Sequence, residues 1–335
     1  MFRKLYQQFC NLKTDISVER IDRQFLLSLL IAVLIVACNH ASVPETAPSS
    51  NCRTVNHVAG KTCVPIEPKR LIVLGIATMG DALALGVKPV GTILYFDKDN
   101  SPSYLEGKLD GIETVGLPYQ PNLETILTLN PDLIISMYPD QAPYEQLSQI
   151  APTVVDDWKG FPSWKEHFNF VARVLGKTEK AEQVWAHYER RIQDLRTALG
   201  DNYQDIEVSF VHICCGSVAL DVKNSFSGII LEDIGLSRPP VQDVVADSGI
   251  VSLSEELLMN IDGDIIFVAV DREDDEAEKL LKQLQQKPLW NNLRVVQQGR
   301  VYPVNYPTWR GGNPLAANAI IDDLFKYLVE EKPIK

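Results

Sequence analysis

Glu124-Thr-Ile-Leu-Thr-Leu-Asn-Pro-Asp132-Leu-Ile-Ile135 returns 132 residues later as Glu256-Leu-Leu-Met-Asn-Ile-Asp-Gly-Asp264-Ile-Ile-Phe267. In both copies a Glu opens a short amphipathic run, an Asp follows eight residues on, and an apolar run of β type comes next. Asn130-Pro131 in one copy and Asp262-Gly263 in the other supply helix-to-strand punctuation at the same point. A single Glu at the head of a helix gains about 0.3–1 kcal/mol from the macrodipole and calls for no further role. Two in one register imply two lobes of similar α/β build, each with a carboxylate at the start of a helix.

The flanking sequence extends this pattern. Arg70-Leu-Ile-Val-Leu-Gly75 predicts a buried strand, Thr78–Leu85 a helix closed by Gly86, and Pro89-Val-Gly-Thr-Ile-Leu94 the next strand. Leu123–Leu129 then reads as a helix, Asp132–Met137 as a strand and Thr153-Val-Val-Asp156 as a fourth strand. Such alternation favours a parallel sheet covered on both faces. The pattern restarts at Ile206 and runs through Ser227–Ile234 (helix), Asp264–Val270 (strand), Glu276–Gln286 (helix) and Arg300–Pro303 (strand) to a closing helix, Pro314–Val329.

Between the halves, Ser163-Trp-Lys-Glu166 fits a capping box for a helix that stops at Gly176. Thr178 caps a longer run, Glu179–Leu199, with Ala181, Val184, Trp185, Tyr188, Ile192, Leu195 and Leu199 at helical spacing. At 1.5 Å per residue it reaches roughly 30 Å, the diameter of a small domain. The expected fold class is α/β: two Rossmann-like lobes with mainly parallel sheets, joined by one long rigid helix that limits lobe movement.

The first 37 residues read as a signal peptide. Five basic side chains outnumber three acidic ones, and the 13-residue apolar stretch Phe25–Ala37 falls short of the ~20 residues a spanning helix needs. Ile35-Val36-Ala37-Cys38 resembles a lipoprotein box, which makes Cys38 the candidate lipidation site. An uncleaved signal anchor is the other reading of the same segment. Residues 38–51 are a Pro/Ser/Ala-rich linker, 52–160 the first lobe with a leading hairpin, 161–204 the linking helices and 205–335 the second lobe. Cys52 and Cys63 flank a strand–turn–strand and are an expected disulfide pair in an exported protein, whereas the adjacent Cys214 and Cys215 are expected as buried thiols.

The formal charge of −12 becomes −14 without the leader, which argues against nucleic acid as a partner. The five His (40, 57, 167, 187 and 212) are scattered, and no clustered set suits a bare metal ion. No GxGxxG follows a strand, and P-loop, GxSxG and HExxH motifs are missing, so nothing in the motifs points to an enzyme.

Several blocks together resemble the ferric-siderophore and vitamin B12 class of periplasmic binding proteins, the substrate-binding components of ABC importers. They are Pro68-Lys-Arg-Leu-Ile-Val-Leu74 behind the hairpin, Asp81-Ala-Leu-Ala-Leu-Gly-Val-Lys-Pro-Val-Gly91, Pro121-Asn-Leu-Glu-Thr-Ile-Leu127 and Leu253-Ser-Glu-Glu-Leu-Leu258. Two more are Asn224-Ser-Phe-Ser-Gly-Ile-Ile-Leu-Glu-Asp-Ile-Gly-Leu-Ser-Arg-Pro-Pro240 and Gly311-Gly-Asn-Pro-Leu-Ala-Ala-Asn-Ala-Ile-Ile-Asp-Asp-Leu324. The resemblance covers roughly residues 52–330 and implies the class III arrangement. It further implies no cofactor or directly bound metal, iron carried only inside a ferric siderophore of hydroxamate or carboxylate type, and a monomer at the outer face of the cytoplasmic membrane or in the periplasm. Cobalamin and haem are alternative cargoes of the same fold.

In similar proteins one exposed Glu on each lobe docks on Arg residues of the permease dimer that the ATPase subunits drive. At matching positions these are Glu124 and Glu256, with Glu255 as a substitute. Ligands of open α/β sheets lie beyond the strand ends, where this sequence places Tyr95, Lys98, Tyr138, Trp158, Phe161, Arg272, Tyr306, Trp309 and Arg310. Trp309-Arg310 leads this set, because an exposed aromatic–guanidinium pair in a Gly/Pro-rich loop is poor core material.

Overall fold

The computed structural model describes residues 51–94, 96, 101–117, 120–137 and 143–331. The leader, most of the linker and Cys38 lie outside these residues.

The chain opens with an antiparallel hairpin, β1 (Cys52–His57) and β2 (Gly60–Pro65). Cys52 and Cys63 are disulfide-bonded with Cα atoms 5.6 Å apart. They do not face each other: Cys63 lies opposite Thr54 and Cys52 opposite Pro65, so the bridge runs diagonally.

The first lobe follows as β3 (Leu71–Leu74), α1 (Ile76–Ala84), β4 (Gly91–Thr92), β5 (Glu113–Thr114), a small ribbon of β6 (Gly116–Leu117) and β7 (Gln120–Pro121), α2 (Leu123–Thr128), β8 (Leu133–Ser136), α3 (Tyr144–Ile150) and β9 (Thr153–Val155). Its sheet has the order β5-β4-β3-β8-β9 and is parallel throughout. β3 and β8 are buried at every residue, as expected for central strands with both faces covered.

Helices α4 (Trp164–Leu175) and α5 (Thr178–Leu199) lead to the second lobe. That lobe contains β10 (Val208–Cys214), β11 (Ser217–Asp221), α6 (Phe226–Ile234), β12 (Ile250–Ser252), α7 (Glu255–Leu258), β13 (Ile265–Val270), α8 (Ala277–Gln286), α9 (Pro288–Asn291), α10 (Arg294–Gln297), β14 (Val301–Asn305), α11 (Tyr306–Trp309) and α12 (Pro314–Leu324). Its sheet, β12-β11-β10-β13-β14, is mixed rather than mainly parallel. β10, β13 and β14 run parallel, but β11 is antiparallel to both neighbours. The cause is a two-residue hairpin turn at Cys215-Gly216, with φ of 55° and 71°, the left-handed conformation that tight hairpins demand. Cys214 is buried in the strand, and this turn leaves Cys215 exposed, contrary to the buried pair expected.

The duplicated Asp residues do the same work in each lobe. Asp132 accepts hydrogen bonds from the backbone N–H groups of Lys69 (2.6 Å) and Arg70 (3.0 Å), and its own N–H donates to the Arg70 carbonyl. Asp264 accepts from the Glu207 N–H (3.0 Å) and donates its N–H to the Glu207 carbonyl (2.8 Å). Each therefore ties the strand that follows it to the entry of its lobe's first central strand.

α5 contributes to two cores. Ala181 belongs to the first lobe's core with Phe168, Val171 and Leu175, whereas Tyr188, Ile192 and Leu195 join Phe210, Phe226 and Trp309. A helix anchored at both ends in this way is a strut. The capping box predicted for α4 does not form. The Ser163 hydroxyl donates instead to the Gly160 carbonyl (2.9 Å) and accepts from the Lys159 N–H (3.1 Å). A second tie joins the lobes where α1 meets the cap of α12. A Cβ on Gly80 would lie 2.3 Å from the Asn313 side chain, so only glycine admits this approach.

Candidate functional site

Asn305 ends β14 and caps α11, its Oδ1 accepting from the Thr308 N–H (2.9 Å) and hydroxyl (2.8 Å). This short turn separates its residues. Trp309 faces inward and is fully buried between Phe210 and Phe267, at ring separations of 4.8 and 4.6 Å. Its indole N–H donates to Asp323 (2.8 Å). The exposed pair expected from the sequence is therefore corrected: Trp309 is a core residue with no surface for a ligand, because the turn that frees Arg310 drives its neighbour into the sheet.

Arg310 sits where the lobes meet. Its guanidinium lies 5.0 Å from the Phe161 ring centre and 5.8 Å from that of Tyr306, and Nη1 donates to Asp221 Oδ1 at 2.6 Å. Nη1 is also 3.4 Å from His212 Nδ1, which stands 3.3 Å from Asp221 Oδ2. Burial disfavours the Asp221 carboxylate, but Arg310 and His212 outweigh it and hold the carboxyl below its ordinary range. For His212 burial favours the neutral ring, yet hydrogen bonds with Asp221 and Cys214 raise its pKa. Burial raises the Cys214 thiol too, and contacts with His212, Cys215 and Tyr306 bring it down to about 7. Among the described residues the Arg310 guanidinium hydrogen-bonds through Nη1 alone, leaving further guanidinium donors for oxygen ligands.

Tyr306 is the wall between this cluster and a cavity of about 330 Å³ lined by Phe96, Asp271, Arg272, Asn305, Thr308 and Asp323 among others. Phe96 comes from the first lobe, so the cavity opens between the two. Trp158 packs edge-on against Phe161 (6.0 Å) and His167 (5.1 Å). The structure thus brings together Arg310, Tyr306, Phe161 and Trp158, and Arg272 lines the cavity with Tyr306. Tyr95, Lys98 and Tyr138 lie outside the described residues. His212 and Asp221 escaped the sequence reading, since nothing local marks them until the hairpin that pairs β10 with β11 is known.

A second buried cluster lies on the first lobe's side. His167 Nδ1 meets Asp156 at 2.5 Å, and its Nε2 meets the Thr78 hydroxyl at 2.8 Å and Asp81 at 3.6 Å. Asp81 is fully buried, and neither carboxyl oxygen has a hydrogen-bond partner among the described residues. Burial, then the nearby Asp156, pushes its pKa well above the carboxylate range. A raised carboxyl pKa means that Asp81 binds a proton more tightly in the folded chain. Stability is lost as pH rises from the unfolded value, near 3.9, through the folded one. Asp81→Asn is expected to be more stable than the native protein at about pH 8, by ~1–3 kcal/mol, and nearly equal only at about pH 4, close to the unfolded carboxyl value. Urea unfolding at both pH values checks this, and parallel curves for the two proteins would count against it.

Glu124 and Glu256 are both exposed, in the first turns of α2 and α7. Neither has an ion-pair partner among the described residues, whereas Glu255 is held by Lys287. Also among the described residues, no helix is long and apolar enough to cross a membrane.

Known proteins match this architecture. The model of the family described as periplasmic binding protein matches residues 71–305. The chain is 35% identical over 321 residues to the probable siderophore-binding lipoprotein YfiY of Bacillus subtilis, covering 92% of this chain and 98% of that one. It is 28% identical to the Fe(3+)-citrate-binding protein YfmC of the same organism, over 84% of this chain and 90% of the relative. Among solved structures, Staphylococcus aureus SirA complexed with staphyloferrin B superposes with a TM-score of 0.72 at 28% identity, over 82% of this chain and 98% of SirA.

Proposed function

Because the chain belongs to the periplasmic binding protein family, we propose that it captures a ferric siderophore between its lobes and delivers it to the permease of an ABC importer. The observation that carries this reading is Arg310, placed against Phe161 and Tyr306 at the lobe junction and beside an interlobe cavity. A ferric siderophore presents oxygens around iron and an apolar periphery. A guanidinium donates to those oxygens in a fixed fork, and Trp158, Phe161 and Tyr306 suit the periphery. The ligand set is Arg310, Tyr306, Arg272 and Trp158, with Tyr95, Lys98 and Tyr138, which follow β4 and β8 in the sequence. Iron is cargo, no catalytic step is involved, and hydroxamate or carboxylate chelates are the favoured class.

The protein acts as a monomer tethered through Cys38 outside the cytoplasmic membrane. Two Bacillus subtilis relatives named lipoproteins, YfiY and YhfQ, support that anchor. Glu124 and Glu256 contact cationic residues of the permease. The division at residues 52–160, 161–204 and 205–335 follows the two sheets and the helices between them.

A thermal-shift panel of ferric and metal-free chelates tests the ligand. A chelate present at a hundredfold excess over its Kd adds about 2.7 kcal/mol, a shift of roughly 5 °C or more. One ferric class should give this shift and its metal-free form should not. A response to cobalamin or haemin alone would overturn the cargo.

A further inference from the structure

We infer that each docking corner carries a second, apolar element, Leu127 beside Glu124 and Met259 beside Glu256, which inserts into a recess of the same two-fold permease. This rests on the docking role proposed above.

The duplicated register supplies the argument. Ile126 and Leu258 occupy one position of the repeat and are buried at 0% and 1% exposure. The next position, held by Leu127 and Met259, is 61% and 43% exposed. Both side chains lie three residues beyond the docking Glu. That spacing stacks them on the same face in an α-helix and nearly eclipses them in a 3₁₀ turn. The α-helical geometry applies in both copies, since Glu256 lies in α7 and Met259 directly follows it as the C-cap. Other large apolar side chains are exposed, among them Val58, Leu117, Val245 and Leu289. None recurs at the matching position of the other copy, and single exposures of this kind are ordinary.

The matched pair also differs in its company. Lys287 pairs with Glu255, so each corner keeps one carboxylate without an ion-pair partner among the described residues and one apolar side chain a helical turn away. Two corners of the same chemistry on one chain fit a partner that presents one surface twice, with a cationic group and an apolar recess spaced to match. The apolar contact excludes water from the ion pair and strengthens it.

Radio-iron uptake from ferric citrate and ferrioxamine, in cells that carry the full-length protein or its variants in place of the native copy, tests this. Leu127→Ser and Met259→Ser are expected each to lower uptake about tenfold, the gain from burying one such side chain. The pair should lower it further, with melting temperature and chelate affinity unchanged. Wild-type uptake by the serine pair, alongside impaired uptake by Glu124→Ala/Glu256→Ala, would refute the apolar element and leave the charged docking intact. Wild-type uptake by the glutamate pair as well would remove the docking reading itself. A serine pair that turns a dimer into a monomer in sedimentation, or abolishes binding to phosphatidylglycerol vesicles, would assign the patch to a second copy or to lipid and overturn the inference.

Discussion

Arg310→Ala is expected to lose about 3–5 kcal/mol of stability and the ability to bind ligand. The stability loss comes from Asp221, whose side chain is only 2% exposed and faces Arg310 Nη1 at 2.6 Å. Removing one partner of a buried ion pair strands the other charge, which costs about that amount even where the pair itself adds little. His212 lessens the loss only while it is protonated. A loss of that size puts the single variant near unfolding, so the informative protein is Asp221→Asn/Arg310→Met, which removes both charges and keeps most of the volume. It should unfold close to the native midpoint in urea and still bind its ferric chelate at least tenfold more weakly, since one charge-assisted hydrogen bond is worth about 1.5–3 kcal/mol. Native affinity in a stable double variant would make Arg310 a structural residue only.

The second large effect is in transport. Glu124→Ala together with Glu256→Ala should reduce uptake more than tenfold and leave chelate affinity as it was. Both side chains are exposed and without ion-pair partners among the described residues, so stability should stay within about 0.5 kcal/mol. The pair should matter more than the sum of the single changes, because one intact corner can still hold the partner while the other is lost. Uptake assays with matched binding assays separate the two roles. Loss of chelate binding in Glu124→Ala would place this residue in the cleft instead.

Much of the fold was legible because its signals are local. The apolar runs that became β3 and β8 need no partner to be recognised, and the spacing of Tyr188, Ile192 and Leu195 is helical wherever the helix packs. The repeat around Asp132 and Asp264 was legible as a pattern, and its cause, a backbone clamp on the strand entry, appears only in three dimensions. The site was less legible. Cys215-Gly216 is not a common hairpin pair, so β11 went unread, and with it the meeting of His212 and Asp221. Trp309 and Arg310 share one loop composition but part company in space, because a four-residue helix turns one into the core and the other toward Phe161. Composition cannot resolve neighbours that a single turn separates.

The proposed ferric chelate binds between the lobes, against Arg310 and the aromatic side chains around it. Titration of the protein with ferric hydroxamate, citrate and catecholate chelates, followed through tryptophan fluorescence, measures this directly, since Trp158 packs against Phe161, whose ring faces Arg310. Saturable quenching by one ferric class at one chelate per chain, lost in Trp158→Phe, is the predicted result. Saturable binding with an unchanged Trp158 signal, or no response to any ferric chelate, would contradict it.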